Sequence, residues 1–183
     1  MKALTLFKSV FDIKTHKRVD FKDDASFEKL FIDLSALPRK DKKSASLISP
    51  AVYEPDTTRS NASVICWAGW CAVDVDEHIF DGDLEKELLD NYGQWNHIVY
   101  STASSTKEHP KFRIVFPLSE DVPKDKIKHF WFALNKELGD IGDPQTKDLS
   151  RMYYIPGQYE GSYNFIFSNT KTVTITPYDL SII

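Results

Sequence analysis

The run Val64-Ile-Cys-Trp-Ala-Gly-Trp-Cys-Ala-Val-Asp-Val-Asp-Glu77 constrains the fold more than any other part of the chain. Its second half alternates apolar and acidic residues, and in a strand positions i and i+2 share a face. A strand here turns Val73 and Val75 into a core and presents Asp74 and Asp76 on the opposite side. Two carboxylates so placed repel, and one is driven towards its protonated form unless a cation lies between them. Two readings follow: an amphipathic strand with its polar face in water, or a strand end that holds Mg2+ or Mn2+ for phosphate chemistry. On the metal reading, replacing either acid by alanine relieves repulsion and should leave the melting temperature near or above wild type, whereas a large loss of stability without metal would mark the pair as structural.

The remaining elements follow from periodicity and turn chemistry. Residues 3–10 read as a strand. Ser26–Leu34 reads as a short helix capped by Asp24 or Ser26, with Phe27, Leu30, Phe31 and Leu34 on one face. Residues 62–67 and 70–76 read as a hairpin around Ala68-Gly69. Leu84–Tyr92 is a helix that stops at Gly93. His97–Ser101 and Phe112–Phe116 are strands joined by the polar loop 102–111. Lys124–Leu138 is a helix with an apolar stripe of Ile127, Phe130, Trp131, Leu134 and Leu138, closed by Gly139. Strands follow at 151–156, 162–168 and 171–176, the last two as a hairpin over Asn169-Thr170. Helix-connected strands through the middle specify an α+β fold with a mixed sheet.

The 183 residues suffice for one domain, 1–183, with a sizeable core. Every apolar stretch is too short to span a membrane. The start Met-Lys-Ala-Leu-Thr-Leu-Phe-Lys lacks a signal-peptide core, so a cytoplasmic location with no membrane partner is expected. Cys66 and Cys71 are expected as buried, reduced thiols, and the scattered histidines give no zinc spacing. A formal net charge of −4 argues against coating nucleic acid by bulk electrostatics, but not against local grip on phosphates. The basic loop 38–46 is either such a grip or a solvated connection.

Three further segments can carry chemistry. Tyr100-Ser-Thr-Ala-Ser-Ser-Thr106 offers five Ser/Thr hydroxyls, Ser101, Ser104 and Ser105 among them, in a loop small enough to approach a triphosphate. In Lys111-Phe-Arg-Ile-Val-Phe-Pro-Leu118, Lys111 and Arg113 share one strand face, suited to phosphate contacts or simply to water at a sheet edge. In Gly142–Gly157, the acids Asp143 and Asp148 precede Arg151 at the mouth of an apolar strand. An arginine there needs an anionic partner, either a neighbouring acid or a substrate phosphate.

In this order the segments resemble the catalytic core of the archaeo-eukaryotic primase superfamily, in particular phage and plasmid primase-polymerases. The features that carry the resemblance are Arg59-Ser-Asn-Ala-Ser-Val64 before Val73-Asp-Val-Asp76, Tyr100–Thr106 before Pro110–Leu118, and Asp143-Pro before Ser150-Arg-Met-Tyr-Tyr-Ile-Pro-Gly157. They span roughly residues 50–160. The resemblance implies an RRM-like mixed β-sheet flanked by helices, with Asp74 and Asp76 as catalytic metal ligands and Asp143 as the third acid, Asp148 in reserve. It implies nucleotide binding by Lys111, Arg113, Arg151, Ser101 and Ser104, and Mg2+ or Mn2+ as cofactor. The implied reaction is two-metal nucleotidyl transfer from a nucleoside triphosphate to a 3′-hydroxyl on a single-stranded DNA template. A helicase module or protein is an implied partner, the chain being then the N-terminal part of a longer replication protein. The family's Ser-x-His motif is altered: Ala103 stands in Ser101-Thr102-Ala103 where His is expected, or Arg113 does if the motif lies on the next strand.

The alternative is a catalytically degenerate domain that binds DNA or a protein partner during replication initiation. A rolling-circle nuclease fits poorly, since His97-Ile-Val and His78-Ile-Phe supply no paired metal-binding histidines. Nor does the chain contain a Gly-x-x-x-x-Gly-Lys-Ser/Thr phosphate loop.

Overall fold

The computed structural model describes residues 2–79 and 82–181. In chain order the first elements are β1 (Ala3–Phe7), β2 (Arg18–Asp20), α1 (Asp24–Ser35), β3 (Pro38–Arg39), β4 (Leu47–Ser49), β5 (Ala51–Tyr53), β6 (Val64–Trp67) and β7 (Trp70–Val75). There follow α2 (Leu84–Tyr92), β8 (His97–Ser101), β9 (Phe112–Pro117), β10 (Val122–Pro123) and α3 (Ile127–Glu137). The chain closes with β11 (Tyr153–Tyr154), β12 (Gln158–Tyr159), β13 (Ile166–Asn169) and α4 (Pro177–Ser181).

An antiparallel sheet of order β13-β8-β9-β7 separates two apolar clusters. Period-two alternation sorts the residues. Val73 and Val75 of β7, with Phe112 and Ile114 of β9, face a cluster completed by Ile127, Phe130, Trp131 and Leu134 of α3. The expected stripe of α3 is thus core. Trp70 and Ala72 face the other cluster with Ile98, Tyr100 and Val115, under Phe27 and Phe31 of α1. The Phe27 ring lies 5.5 Å from Trp70 and the Phe31 ring 5.8 Å from Tyr100. A second sheet, β11-β4-β1-β2, borders this side. The architecture is α+β, a central antiparallel sheet flanked by helices. Parallel pairing is confined to β3 with β12 and two isolated bridges.

Four local expectations are corrected. Residues 64–67 and 70–75 are no hairpin: β6 pairs with β5 and β10, while β7 pairs with β9. Ala68-Gly69 therefore switches the chain between sheets, and Gly69 takes φ +76°, where a Cβ would lie 2.8 Å from Lys2 Cγ. The hairpin over Asn169-Thr170 does not form either. β13 pairs with β8, and the segment after it makes single bridges from Val173 to Trp95 and from Ile175 to Leu118. The cap of α1 is Asp23, whose carboxylate accepts from the Ser26 N–H at 2.7 Å. Both cysteines are free thiols, but only Cys71 is buried, Cys66 being half-exposed. No described helix is long and apolar enough to cross a membrane.

Candidate functional site

β7 is an edge strand of the central sheet, and its last turnward residues reach the sheet rim. Asp74 and Asp76 there face a cleft of about 150 Å³, together with Ser101, Ser104, Arg113 and Lys42. Ala103, Tyr154 and Tyr159 also line it. Five of the residues singled out by sequence thus share one cavity.

The two acids have different environments. Asp74 sits opposite Arg113 in the β7–β9 register, and the Arg113 Nε–H donates to its carboxylate. Arg113 Nη1 donates to Tyr100 Oη at 2.9 Å and to the Tyr154 carbonyl at 2.9 Å. The guanidinium also lies 4.8 Å from the centre of the Tyr153 ring. Burial opposes its charge, but Asp74 and then Tyr100 outweigh that, so it stays protonated beyond its ordinary range. β9 is central rather than an edge, which is why Arg113 is buried and not solvated. Arg113 cross-links β7, β8 and β11 and holds Asp74 in place.

Asp76 has no such partner: no hydrogen bond to its carboxylate is made among the described residues. Burial first, then the charge of Asp74, raise its pKa; Asp143 adds to this, while Lys111 and Arg113 oppose it. Its backbone is fixed, since His109 Nε2–H donates to the Asp76 carbonyl at 2.7 Å. His109 is therefore a positioning residue of the strand end.

Asp143 arrives by backbone geometry. Its N–H donates to the Asp74 carbonyl at 2.9 Å, and Gly142 before it packs so close to Val73 and Asn135 that a Cβ would lie 2.5 Å from Val73 Cγ1. Its carboxylate accepts from the Gln145 N–H at 3.0 Å. Asp148 is exposed. Among the described residues no three of His, Cys, Asp and Glu are arranged to hold a metal ion. Ser101 is occupied structurally: its hydroxyl donates to the Phe165 carbonyl at 3.2 Å and accepts from the Phe165 N–H at 2.7 Å. Ser105 is buried, accepting from the Lys111 N–H at 3.2 Å, whereas Ser104 is exposed at the cleft. Arg151 lies outside the cleft lining. It makes no ion pair among the described residues, and its buried Nε has no hydrogen-bond partner.

The sequence offers Lys42 only as one of several cations in a loop that either grips phosphate or stays solvated, and gives no signal that joins Tyr154 and Tyr159 to the site. Lys42 was hard to single out because its neighbours Lys40 and Lys43 carry the same charge.

The AEP domain of the cyanophage S-2L primase-polymerase (PrimPol) has a similar fold, with a TM-score of 0.50 over 89% of this chain and 77% of that one, at 14% identity. No curated protein matches the chain. Residues 56–180, which include every acid of the cleft, match the VapE N-terminal domain. The chain belongs to the VapE N-terminal domain family.

Proposed function

We propose that this chain is a divalent-metal-dependent nucleotidyltransferase of the primase-polymerase kind, acting in phage or plasmid replication. It transfers a nucleotide from a nucleoside triphosphate to a 3′-hydroxyl on a single-stranded DNA template. Residues 1–183 act as one domain, the N-terminal part of a longer replication protein that works with a helicase module. The observation that carries this is the Asp76 carboxylate, half-buried beside Asp74 in a cleft and without a hydrogen-bond donor.

Such a carboxylate fits Mg2+ or Mn2+ in charge. It fits in number as well, because Mg2+ is commonly held by one or two carboxylates with substrate phosphates completing the shell. Asp74 and Asp76 would hold the ion, with Asp143 beside them. When bound there, such an ion would supply Lewis-acid polarisation of phosphate and hydroxyl oxygens. The chain's own groups do the rest. Arg113 holds Asp74 in place through its Nε–H, so its contribution is positioning rather than direct phosphate binding. Lys42 and Lys111 offset triphosphate charge, and the exposed Ser104 donates to a phosphate oxygen.

A second reading, a binding module without catalysis, is favoured by Ala103 at the cleft wall where the related motif carries His. Calorimetric titration with a deoxynucleoside triphosphate separates the two. The enzyme binds it only with Mn2+ or Mg2+ and loses the metal-dependent part in Asp76→Asn. Absence of metal-dependent binding by the wild type would leave the binding module.

A further inference from the structure

Far from the acids in sequence, residues 8–18 carry four Lys/Arg against one Asp, in a chain of net charge −4. They form the excursion between β1 and β2, which pair with Ala3 opposite Asp20 and Thr5 opposite Arg18. Phe11 at its tip is 88% exposed, the most exposed large apolar residue described, and Ile13 beside it is 51% exposed. With Val10 at 43% exposed, the tip presents three apolar side chains together rather than one scattered on the surface.

The backbone that carries the ring is fixed by side-chain acceptors within the loop. The Asp12 carboxylate accepts from the Lys8 and Lys14 N–H groups, each at 2.9 Å, closing the loop on both sides of the tip. The Phe11 N–H donates to Ser9 Oγ at 3.3 Å. Those backbone bonds also engage the loop's one acid, whereas Lys8, Lys14 and Lys17 make no ion pair among the described residues. A concavity of about 430 Å³ lies beside Phe11, bordered by Lys8, Ile13, His16 and Lys17.

The loop also stands at the cleft's end of the molecule. Phe7 pairs with Leu47, and Leu47 with Tyr154 of the cleft wall, so β1 releases the chain on that side. Its descending limb is strapped to residues 57–59. Thr15 Oγ1 donates to the Thr57 carbonyl at 2.7 Å and the Arg59 N–H to the Ile13 carbonyl at 2.9 Å. From there Asn61 joins Ser150, next to Arg151, through a bond of 2.7 Å from the Ser150 hydroxyl. A chain of contacts therefore links the Phe11 loop to Arg59 and to the Ser150-Arg151 segment.

We infer that this loop is a platform for single-stranded DNA, with Phe11 stacking on an unpaired base while Lys8, Lys14 and Lys17 meet the flanking phosphates. An aromatic face beside mobile cations is the chemistry that binds single strands without sequence preference. The choice of DNA rests on the replication reading above; the stacking and charge arguments do not.

The test is fluorescence anisotropy of a labelled oligothymidylate with the full chain. Phe11→Ala should weaken binding about tenfold, as expected for one lost stacking contact, and Phe11→Trp should restore it. Replacing Lys8, Lys14 and Lys17 by alanine should reduce the slope of log K against log salt by about 2. A blunt duplex should bind equally well with or without Phe11. Metal-dependent triphosphate binding, measured on the same variants, should be unchanged; its absence in wild type would defeat the catalytic reading while leaving this one intact. Equal affinity of wild type and Phe11→Ala for the oligothymidylate would overturn the inference. So would a variant that binds DNA normally but loses self-association in sedimentation, which would make the loop a protein contact.

Discussion

Asp74 and Asp76 should respond in opposite ways to the same substitution. Asp74 pairs with a guanidinium whose side chain is 9% exposed, its own side chain being 18% exposed. In Asp74→Ala the Arg113 charge stays buried with two neutral acceptors and no hydrogen-bonded carboxylate. Breaking a buried pair from one side costs about 3–5 kcal/mol, and the partial exposure of Asp74 places the expected loss at about 3 kcal/mol. For a chain of this size that lowers the melting temperature by roughly 6–12 °C. Asp76→Ala removes a carboxylate whose ionisation is opposed by burial and by Asp74, so its melting temperature should be equal or higher. The purely repulsive expectation for both acids is therefore replaced for Asp74. Differential scanning calorimetry at neutral pH without divalent metal measures both. Asp74→Ala combined with Arg113→Met should recover much of the loss, because neither charge then remains. A wild-type melting temperature for Asp74→Ala alone would refute the ion-pair argument. Activity lost in Asp74→Ala is consequently ambiguous, whereas activity lost in Asp76→Asn is not.

Three other outcomes follow from the geometry. Gly69→Ala should destabilise by about 2 kcal/mol in urea unfolding, since it combines a left-handed backbone with a contact on Lys2. Ser101→Ala leaves the Phe165 N–H without its partner and should cost about 1–3 kcal/mol, with triphosphate affinity by calorimetry unchanged. Burial lowers the His97 pKa from its ordinary 6.5, its Nδ1–H donating to the Trp95 carbonyl at 2.9 Å. The unfolded chain then binds the proton first, so this contribution to stability is complete above pH 6.5 and declines as pH falls towards the folded value. Unfolding midpoints across that window should fall less steeply for His97→Gln than for wild type.

What could be read from sequence was whatever local spacing determines. Alternation in Val73-Asp-Val-Asp76 reports both faces of β7 at once, and the stripe of Ile127, Phe130, Trp131 and Leu134 reports one face of α3. Pairing partners are non-local and were not legible. Ala68-Gly69 has the composition of a hairpin turn, yet the hydrogen bonds of β7 go to β9, whose residues lie some forty positions on. The same gap explains Arg113. As a residue on an alternating strand it suits a phosphate, and only the register that sets it against Asp74 makes it an internal clamp. Asp143 was found through motif order, but its approach depends on a glycine packed against Val73, which no spacing rule reveals.

The central claim is that the cleft at the end of β7 transfers nucleotides. Extension of a primed single-stranded DNA by wild type and Asp76→Asn, with and without Mn2+ or Mg2+, addresses it most directly. The account predicts metal-dependent extension by wild type and none by a variant that melts at the same temperature or higher. No extension by wild type, or undiminished extension by Asp76→Asn, would contradict it.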